Sequence, residues 1–242
     1  MAEALVTFTG ASTSALQAQR RFEQGYCVVF NFIQNAFIQV AVKAPRFILE
    51  LDDAGTGARW EDGNGASSKK LRRELGIWRR LDHPNIVPFL GIAYGFGRAG
   101  TMSLVSLWMP NGTLQRFLRE HHGVLSESRR LQLLVDVASG LEYLIHGDLT
   151  SNNILVDENH QARLVDFGLA TVLGETTNGL DYLHRSTHNP GAIRWAAPEL
   201  MNVSHERTTK SDMYSFGNIA LYVRRNTRHS FGSGLGLMVS KR

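Results

Sequence analysis

The stretch IHGDLTSNNILVDENHQARLVDFGLA, Ile145 to Ala170, decides how this chain is read. Asp148 stands five residues before Asn153, and Asp166 opens an Asp-Phe-Gly triplet thirteen residues beyond that Asn. A packed core requires no polar residues at those intervals. A metal-bound phosphate does. Its transfer needs carboxylate and amide oxygens to hold Mg²⁺, a carboxylate to orient the attacking hydroxyl, and cations on the developing charge. Asp148 suits the hydroxyl, while Asn153 and Asp166 suit the metal. Gly168 permits a sharp turn after the apolar Arg163-Leu164-Val165 run.

Working outward, three more pieces fall in order. Lys43 ends the apolar run Val40-Ala41-Val42. Such a lysine, met alone, is usually a snorkelling edge residue. Here a helix-like segment follows, carrying Glu74 in Leu71-Arg72-Arg73-Glu74-Leu75, a potential ion-pair partner that would aim the ammonium at phosphates. Farther on come Ala197-Pro198-Glu199 and Asp212 in KSDMYSFG. Singly these are weak signals. The triplet Asp-Phe-Gly arises by chance in roughly a few per cent of chains this long, so the ordered set carries the argument.

Composition narrows the class. The 242 residues are 43% hydrophobic and 20% charged, ordinary for a globular chain long enough to bury a core. The single cysteine, Cys27, excludes an intramolecular disulfide and suits a reducing compartment. No apolar run approaches the roughly 18 residues of a membrane span, and no signal peptide opens the chain, so a soluble cytoplasmic protein is expected. The net charge of +4 raises the question of an anionic partner. The basic clusters KKLRREL, WRRL and YVRRNTRHS are scattered and read as solvated helix faces and ends, so no nucleic-acid partner is expected.

Strand signals dominate the first part: YCVVF and FIQVAVK between residues 20 and 43, then HPNIVPFLGIAYGF and TMSLVSLWM. The acidic, Gly-rich segment LDDAGTGARWEDGNGASS reads as a surface loop. In SSKKLRRELGIWRRL, Leu71, Leu75 and Trp78 fall at helical spacing, with a serine as possible N-cap. After Asn111-Gly112, NGTLQRFLREHH and SESRRLQLLVDVASGLEYL read as helices. Strands followed by helices indicate an α+β chain in two lobes, with a ligand cleft between them.

The ordered set Lys, Glu, HxDLxxxN, DFG, APE is the protein-kinase signature. With LRRELGIWRRLDHPNIVPFLGIA, LVSLWMPNGTL, HGDLTSNNILVD, GAIRWAAPEL and KSDMYSFGNIAL, the chain resembles a eukaryotic protein kinase of the tyrosine-kinase-like group, as found in mushroom-forming fungi. The resemblance covers roughly residues 22–222. It implies a bilobal kinase-like fold, with a poorly ordered segment over 1–20 and a kinase domain over 21–222. Within that domain it places a β-rich N-lobe to about 105, a hinge over 106–111 and a helical C-lobe over 112–222. A divergent tail over 223–242 follows, where the family carries further helices, so the helical lobe reads as incomplete and truncated.

It further implies ATP and Mg²⁺ as cofactors and a protein Ser/Thr substrate, with Tyr left open by Thr150 and Ala192. Lys43 would contact phosphates and pair with Glu74, Asp148 would be the base, and Asn153 and Asp166 would hold the metal. Val29, Ala41, Leu107, Met109 and Leu155 would enclose the nucleotide. Ser106 falls at the gatekeeper position, leaving room behind adenine, and Leu107, Trp108 and Met109 form the hinge. His146 and Phe167 would pack beneath the site, and Asp212 would hold the catalytic loop through backbone amides.

The sequence departs from the family in places that matter. The three glycine positions of the phosphate-covering loop fall on Phe22, Gln24 and Cys27. The junction LEYLIHGDL is short, so either the last helical turn unwinds or His146 shifts. Glu199 would lose an arginine from the absent helices. Gly147 replaces the arginine that usually precedes the base, so ordering of the activation segment by phosphorylation at Thr176, Thr177, Ser186 or Thr187 is less expected. A catalytically impaired kinase fold acting as an ATP- or protein-binding module is the alternative these departures support.

Overall fold

A computed structural model describes residues 6–8, 17–22, 25–32, 36–44, 48–51, 58–61, 66–94, 96, 102–121, 123–173, 193–201 and 207–225. Before residue 39 and over 45–70 only the backbone is described. The first part is one six-stranded sheet built from β1 (Val6–Phe8), β2 (Gln17–Phe22), β3 (Gly25–Phe32), β4 (Ala36–Lys43), β7 (Phe89–Tyr94) and β8 (Met102–Leu107). Their order across the sheet is β1-β7-β8-β4-β3-β2, antiparallel except for the β1–β7 pair. Val40, Val42, Ala93 and Val105 form a small buried cluster on it. Lys43 is the last residue of β4, and alternation puts it on the same face as Ala41, the face opposite Val40.

The sheet corrects several expectations. Strands β1 and β2 lie within the first 22 residues, most of which read as unstructured. A three-residue strand carries too little periodicity to be seen, and GlnAlaGlnArgArgPhe lacks apolar alternation because it borders the sheet beside β3. The segment read as a surface loop is entered and left by a hairpin, β5 (Ile48–Leu51) with β6 (Ala58–Glu61). Strand β8 runs through Ser106 and Leu107, residues assigned by sequence to the hinge.

Helix α1 (Ala66–Trp78) follows. Ser67 and Ser68, candidates for its N-cap, lie inside it. Leu71, Glu74 and Trp78 are its buried positions together with Ile77, one face at helical spacing. Helix α2 (Leu114–His121) buries Leu114, Phe117 and Leu118. Helix α3 (Glu127–Leu141) begins where the Ser126 hydroxyl accepts from the Arg129 amide at 3.2 Å. It buries Arg130, Leu133, Asp136, Val137 and Gly140. A Cβ on Gly140 would come within 2.8 Å of Leu164, so a glycine is needed for that close approach.

Short strands β9 (Leu144–Ile145), β10 (Ile154–Val156), β11 (Ala162–Leu164) and β12 (Thr171–Val172) pair as β10–β11 and β9–β12. A 3-10 turn, Pro198–Met201, precedes α4 (Thr209–Arg225). Thr208 and Ser211 cap α4 reciprocally, each amide donating to the other's hydroxyl at 3.0 and 3.3 Å. Val223, assigned by sequence to the tail, is buried in α4, and its carbonyl accepts from the Arg130 guanidinium at 2.8 Å. Among the described residues no helix is long and apolar enough to cross a membrane.

Candidate active site

The lysine at the end of β4 meets two carboxylates. Lys43 Nζ donates to Glu74 Oε1 and Oε2 at 2.7 and 2.9 Å and to Asp166 Oδ1 at 2.9 Å. The Glu74 side chain is 1% exposed. Burial by itself would lower the lysine's pKa, but the charges of Glu74 and Asp166 overcome it and raise the pKa above the ordinary value. The ammonium is thereby fixed between α1 and the Asp-Phe-Gly turn. Asp166 takes φ +68°, a left-handed backbone that non-glycine residues rarely adopt. Such strain persists where surroundings over-determine it, and the Lys43 contact is one such constraint.

A second anchor holds the loop that carries Asp148. Asp212, buried on α4, accepts from the His146 amide at 2.6 Å and from the Gly147 amide at 3.0 Å. Burial raises its pKa, while His146, the two amides and Arg207 act against that shift. The His146 ring reaches the Val165 carbonyl through Nε2 at 2.9 Å and accepts the Asp148 amide at Nδ1 at 3.3 Å. Thr150 Oγ1 accepts from the amides of Asn152 and Asn153, both at 3.3 Å, closing the loop on itself. Asn153 Nδ2 then donates to the Asp148 carbonyl at 2.8 Å, while the Asn153 carbonyl accepts the Val165 amide at 3.0 Å. The loop and the strand leading to Asp166 are one hydrogen-bonded unit.

The short junction resolves in favour of unwinding. Helix α3 ends at Leu141, before Tyr143-Leu144, and Leu144–Ile145 becomes strand. His146 is held by Asp212 and Val165. Beneath the site, rings meet in series at tilted or edge-on angles: Phe89 with Trp78 at 5.5 Å, Trp78 with Phe167 at 5.6 Å, and Phe167 with His146 at 5.7 Å. The Trp78 indole also donates to the Val87 carbonyl at 2.7 Å. Helical spacing marks Trp78 as core, but its ring partners lie on elements far away in sequence.

A cavity of about 450 Å³ reaches this series at Trp78, with Ala41, Lys43, Ser106, Met109, Leu155 and Asp166 among its other walls. Four of these are residues the sequence assigns to the nucleotide, Ser106 is the expected gatekeeper, and Asp166 is an expected metal ligand. Leu107 is not a wall; it packs against the core, and its neighbour Trp108 lines the cavity instead. Val29 pairs with Gln39 along β3, and its side chain lies outside the described residues. Asp148 and Asn153 are also not walls, and the hydrogen bonds above tie their loop to Val165, the residue before Asp166. Glu199 is exposed, so solvent hydrates it and the expected orphaned buried charge does not arise. Thr176, Thr177, Ser186, Thr187 and Ala192 lie outside the described residues.

Two carboxylates that shape the site were not singled out in the sequence. Asp157 accepts from the amides of Asn159 and Gln161 at 2.9 Å and from Arg163 Nε at 2.9 Å, setting the turn between β10 and β11. Asp136 on α3 accepts the Ala162 amide at 3.0 Å. The first was legible as an Asx turn in AspGluAsnHis. The second had no local signal.

The family model described as protein tyrosine and serine/threonine kinase matches residues 60–227. The chain is 35% identical over 166 residues to the probable serine/threonine-protein kinase SIS8 of Arabidopsis thaliana, which is 66% of this chain and 15% of that protein. It is 34% identical over 168 residues to the serine/threonine-protein kinase CTR1 of the same plant, 66% and 19% of the two chains. With the dual specificity protein kinase splA of Dictyostelium discoideum it shares 33% over 171 residues, 62% and 7%. The chain therefore spans less than a fifth of the length of each of these relatives. With that match lying over the lysine-bearing cleft's α1, the His146–Asn153 loop and the Asp-Phe-Gly turn, the chain belongs to the protein tyrosine and serine/threonine kinase family.

Proposed function

We propose that this chain transfers the γ-phosphoryl group of ATP to hydroxyls of a protein substrate, serine or threonine foremost and tyrosine as a further acceptor. The observation that carries the reading is Lys43 bonded at once to Glu74 and Asp166, which sets an ammonium and a carboxylate side by side in the wall of a cavity. The relatives CTR1 and SIS8 support serine/threonine acceptors and a place in the tyrosine-kinase-like group, and splA supports the wider acceptor range. ATP as donor suits an intracellular, cytoplasmic setting.

The donor set fits a hard cation. Asp166 offers a carboxylate, and Asn153, with its Nδ2 committed to the Asp148 carbonyl, presents its amide oxygen. These two residues would hold Mg²⁺, which when bound neutralises charge on the transferring phosphoryl group. Asp148 orients the acceptor hydroxyl and takes its proton. Lys43 aligns the nucleotide phosphates, and Ala41, Met109 and Leu155 enclose its base.

The test is a thermal shift with ATP, with and without Mg²⁺, followed by radiolabelled transfer to protein by wild type and Asp148→Asn. A ligand at about 100 times its dissociation constant stabilises by about 2.7 kcal/mol. Mg²⁺-dependent stabilisation with labelling by wild type alone is expected. Equal labelling by both would expose a contaminant. A second reading, a nucleotide- or protein-binding module without turnover, draws on Phe22 and Cys27 standing in paired strands where the family places glycines. Stabilisation by ATP with no labelling would favour it.

A further inference from the structure

Gly147, directly before Asp148, takes φ +75°. A Cβ at that position would come within 2.6 Å of Arg207 Cδ and 2.7 Å of the Leu169 carbonyl oxygen. The space beside residue 147 is thus filled from elsewhere in the chain, by the stem of Arg207. The arginine's Nε donates to the Gly147 carbonyl at 2.7 Å. That carbonyl belongs to the same peptide plane as the Asp148 amide, which donates to His146 Nδ1. The plane leading into Asp148 is therefore gripped at its oxygen by Arg207 and at its nitrogen by His146.

The charges around Arg207 come from three elements. Asp148 on its own loop and Asp212 on α4 attract it, and Arg73 on α1 repels it. Burial disfavours its charge, and the two carboxylates oppose that effect. Arginine stays protonated throughout the working range of pH, so the contact is permanently charge-assisted. Asp212 takes the amide hydrogens at His146 and Gly147, while Arg207 takes the oxygen at Gly147. The loop is clamped by an anion on one edge and a cation on the other.

We propose that Arg207 is a positioning residue for phosphoryl transfer, delivering from the segment before α4 the guanidinium that orients the Gly147–Asp148 peptide and, through it, the Asp148 carboxylate. This rests on the kinase reading above. A misplacement of about 1 Å at a reacting group lowers a rate on the order of a hundredfold, so a peptide tilt suffices to be felt.

The experiment compares wild type with Arg207→Met, Arg207→Gln and Arg207→Lys. Transfer from radiolabelled Mg·ATP to a degenerate Ser/Thr peptide library gives kcat and KM. Amide hydrogen exchange at Asp148 is followed separately, without nucleotide. Arg207→Met is expected to lower kcat by about ten- to a hundredfold with KM for ATP within about twofold, and to speed Asp148 exchange. Arg207→Lys, which keeps donor and charge, restores most of both. Should the Met variant not fold, Lys exceeding Gln in kcat and in protection supports the same role for the guanidinium, and Lys no better than Gln overturns it.

A kcat for Met within about twofold of wild type, equal losses in Lys and Met, or a loss confined to KM would overturn the proposal. Unchanged Asp148 exchange in Arg207→Met would overturn it whatever the activity. A wild type without transfer, but with Asp148 exchange quickened by Arg207→Met, would instead remove the kinase reading while the anchoring of Asp148 stands.

Discussion

Glu74 and Asp212 are both buried carboxylates, 1% and 5% exposed, and they answer burial in opposite ways. Glu74 meets the ammonium of Lys43, a side chain that is itself 28% exposed. Asp212 meets two backbone amides and so fixes the chain itself rather than another side chain. The first anchor joins a strand of the sheet to α1. The second ties the loop that carries Asp148 to a long helix through two backbone amides. The cleft thus has one jaw held through side chains and one held through the backbone, with Asp148 on the second.

The comparison breaks in ranked ways. Replacing Asp148 by Asn should lower phosphotransfer by about 10²–10⁴-fold, the usual range for a general base, while the urea midpoint stays put. Steady-state labelling and equilibrium unfolding read the two halves of that statement. Asp212→Ala strips the acceptor from two amides at about 1–3 kcal/mol each, so a loss of about 2–6 kcal/mol is expected by urea denaturation. A smaller loss would mean that the loop finds substitute partners.

Lys43→Met leaves Glu74 buried beside an apolar stem. Breaking a fully buried pair costs about 3–5 kcal/mol, and partial exposure of Lys43 reduces this to about 1–3 kcal/mol. Denaturation checks the stability and titration calorimetry the accompanying loss of ATP affinity. If Lys43→Met proves costlier than Asp212→Ala, the two jaws have been ranked in the wrong order.

The smallest effect is a pH slope. Burial raises the Asp212 pKa, so the folded state holds that proton more tightly than the unfolded chain. By linkage this contribution is fully present below the unfolded carboxylate value and fades as pH rises through the folded one. The stability difference between wild type and Asp212→Asn should therefore shrink as pH rises above the ordinary carboxylate range, about pH 4. A difference that widens instead would reverse the assigned shift.

Residues whose spacing is set by one loop were open to reading: Asp148, Asn153 and Asp166 follow a pattern that chemistry dictates over 19 residues of continuous chain. Helical periodicity likewise exposed Leu71, Leu75 and Trp78 as one face, of which Leu71 and Trp78 are buried and Leu75 is half-buried against the core. What stayed hidden depends on elements meeting from afar. Nothing in SHERTTKSD marks Arg207 as the neighbour of Gly147, since that contact spans 60 positions. Asp136 has the look of an ordinary helical acid until β11 brings the Ala162 amide to it. Strand β2 was invisible for a different reason, because a polar strand at the border of a sheet owes its conformation to its neighbour. The short junction after Leu141 allows two outcomes by sequence, and the Asp212 grip on His146 decides between them.

The placement of Trp78 has a spectroscopic consequence. Its indole is almost wholly shielded from water, edge-on to Phe167 and hydrogen-bonded to Val87. Swinging α1 outward would wet that ring and shift its emission to longer wavelength. In a variant with Trp60, Trp108 and Trp195 replaced by Phe, the fluorescence colour of this protein becomes a gauge of whether its upper jaw is seated.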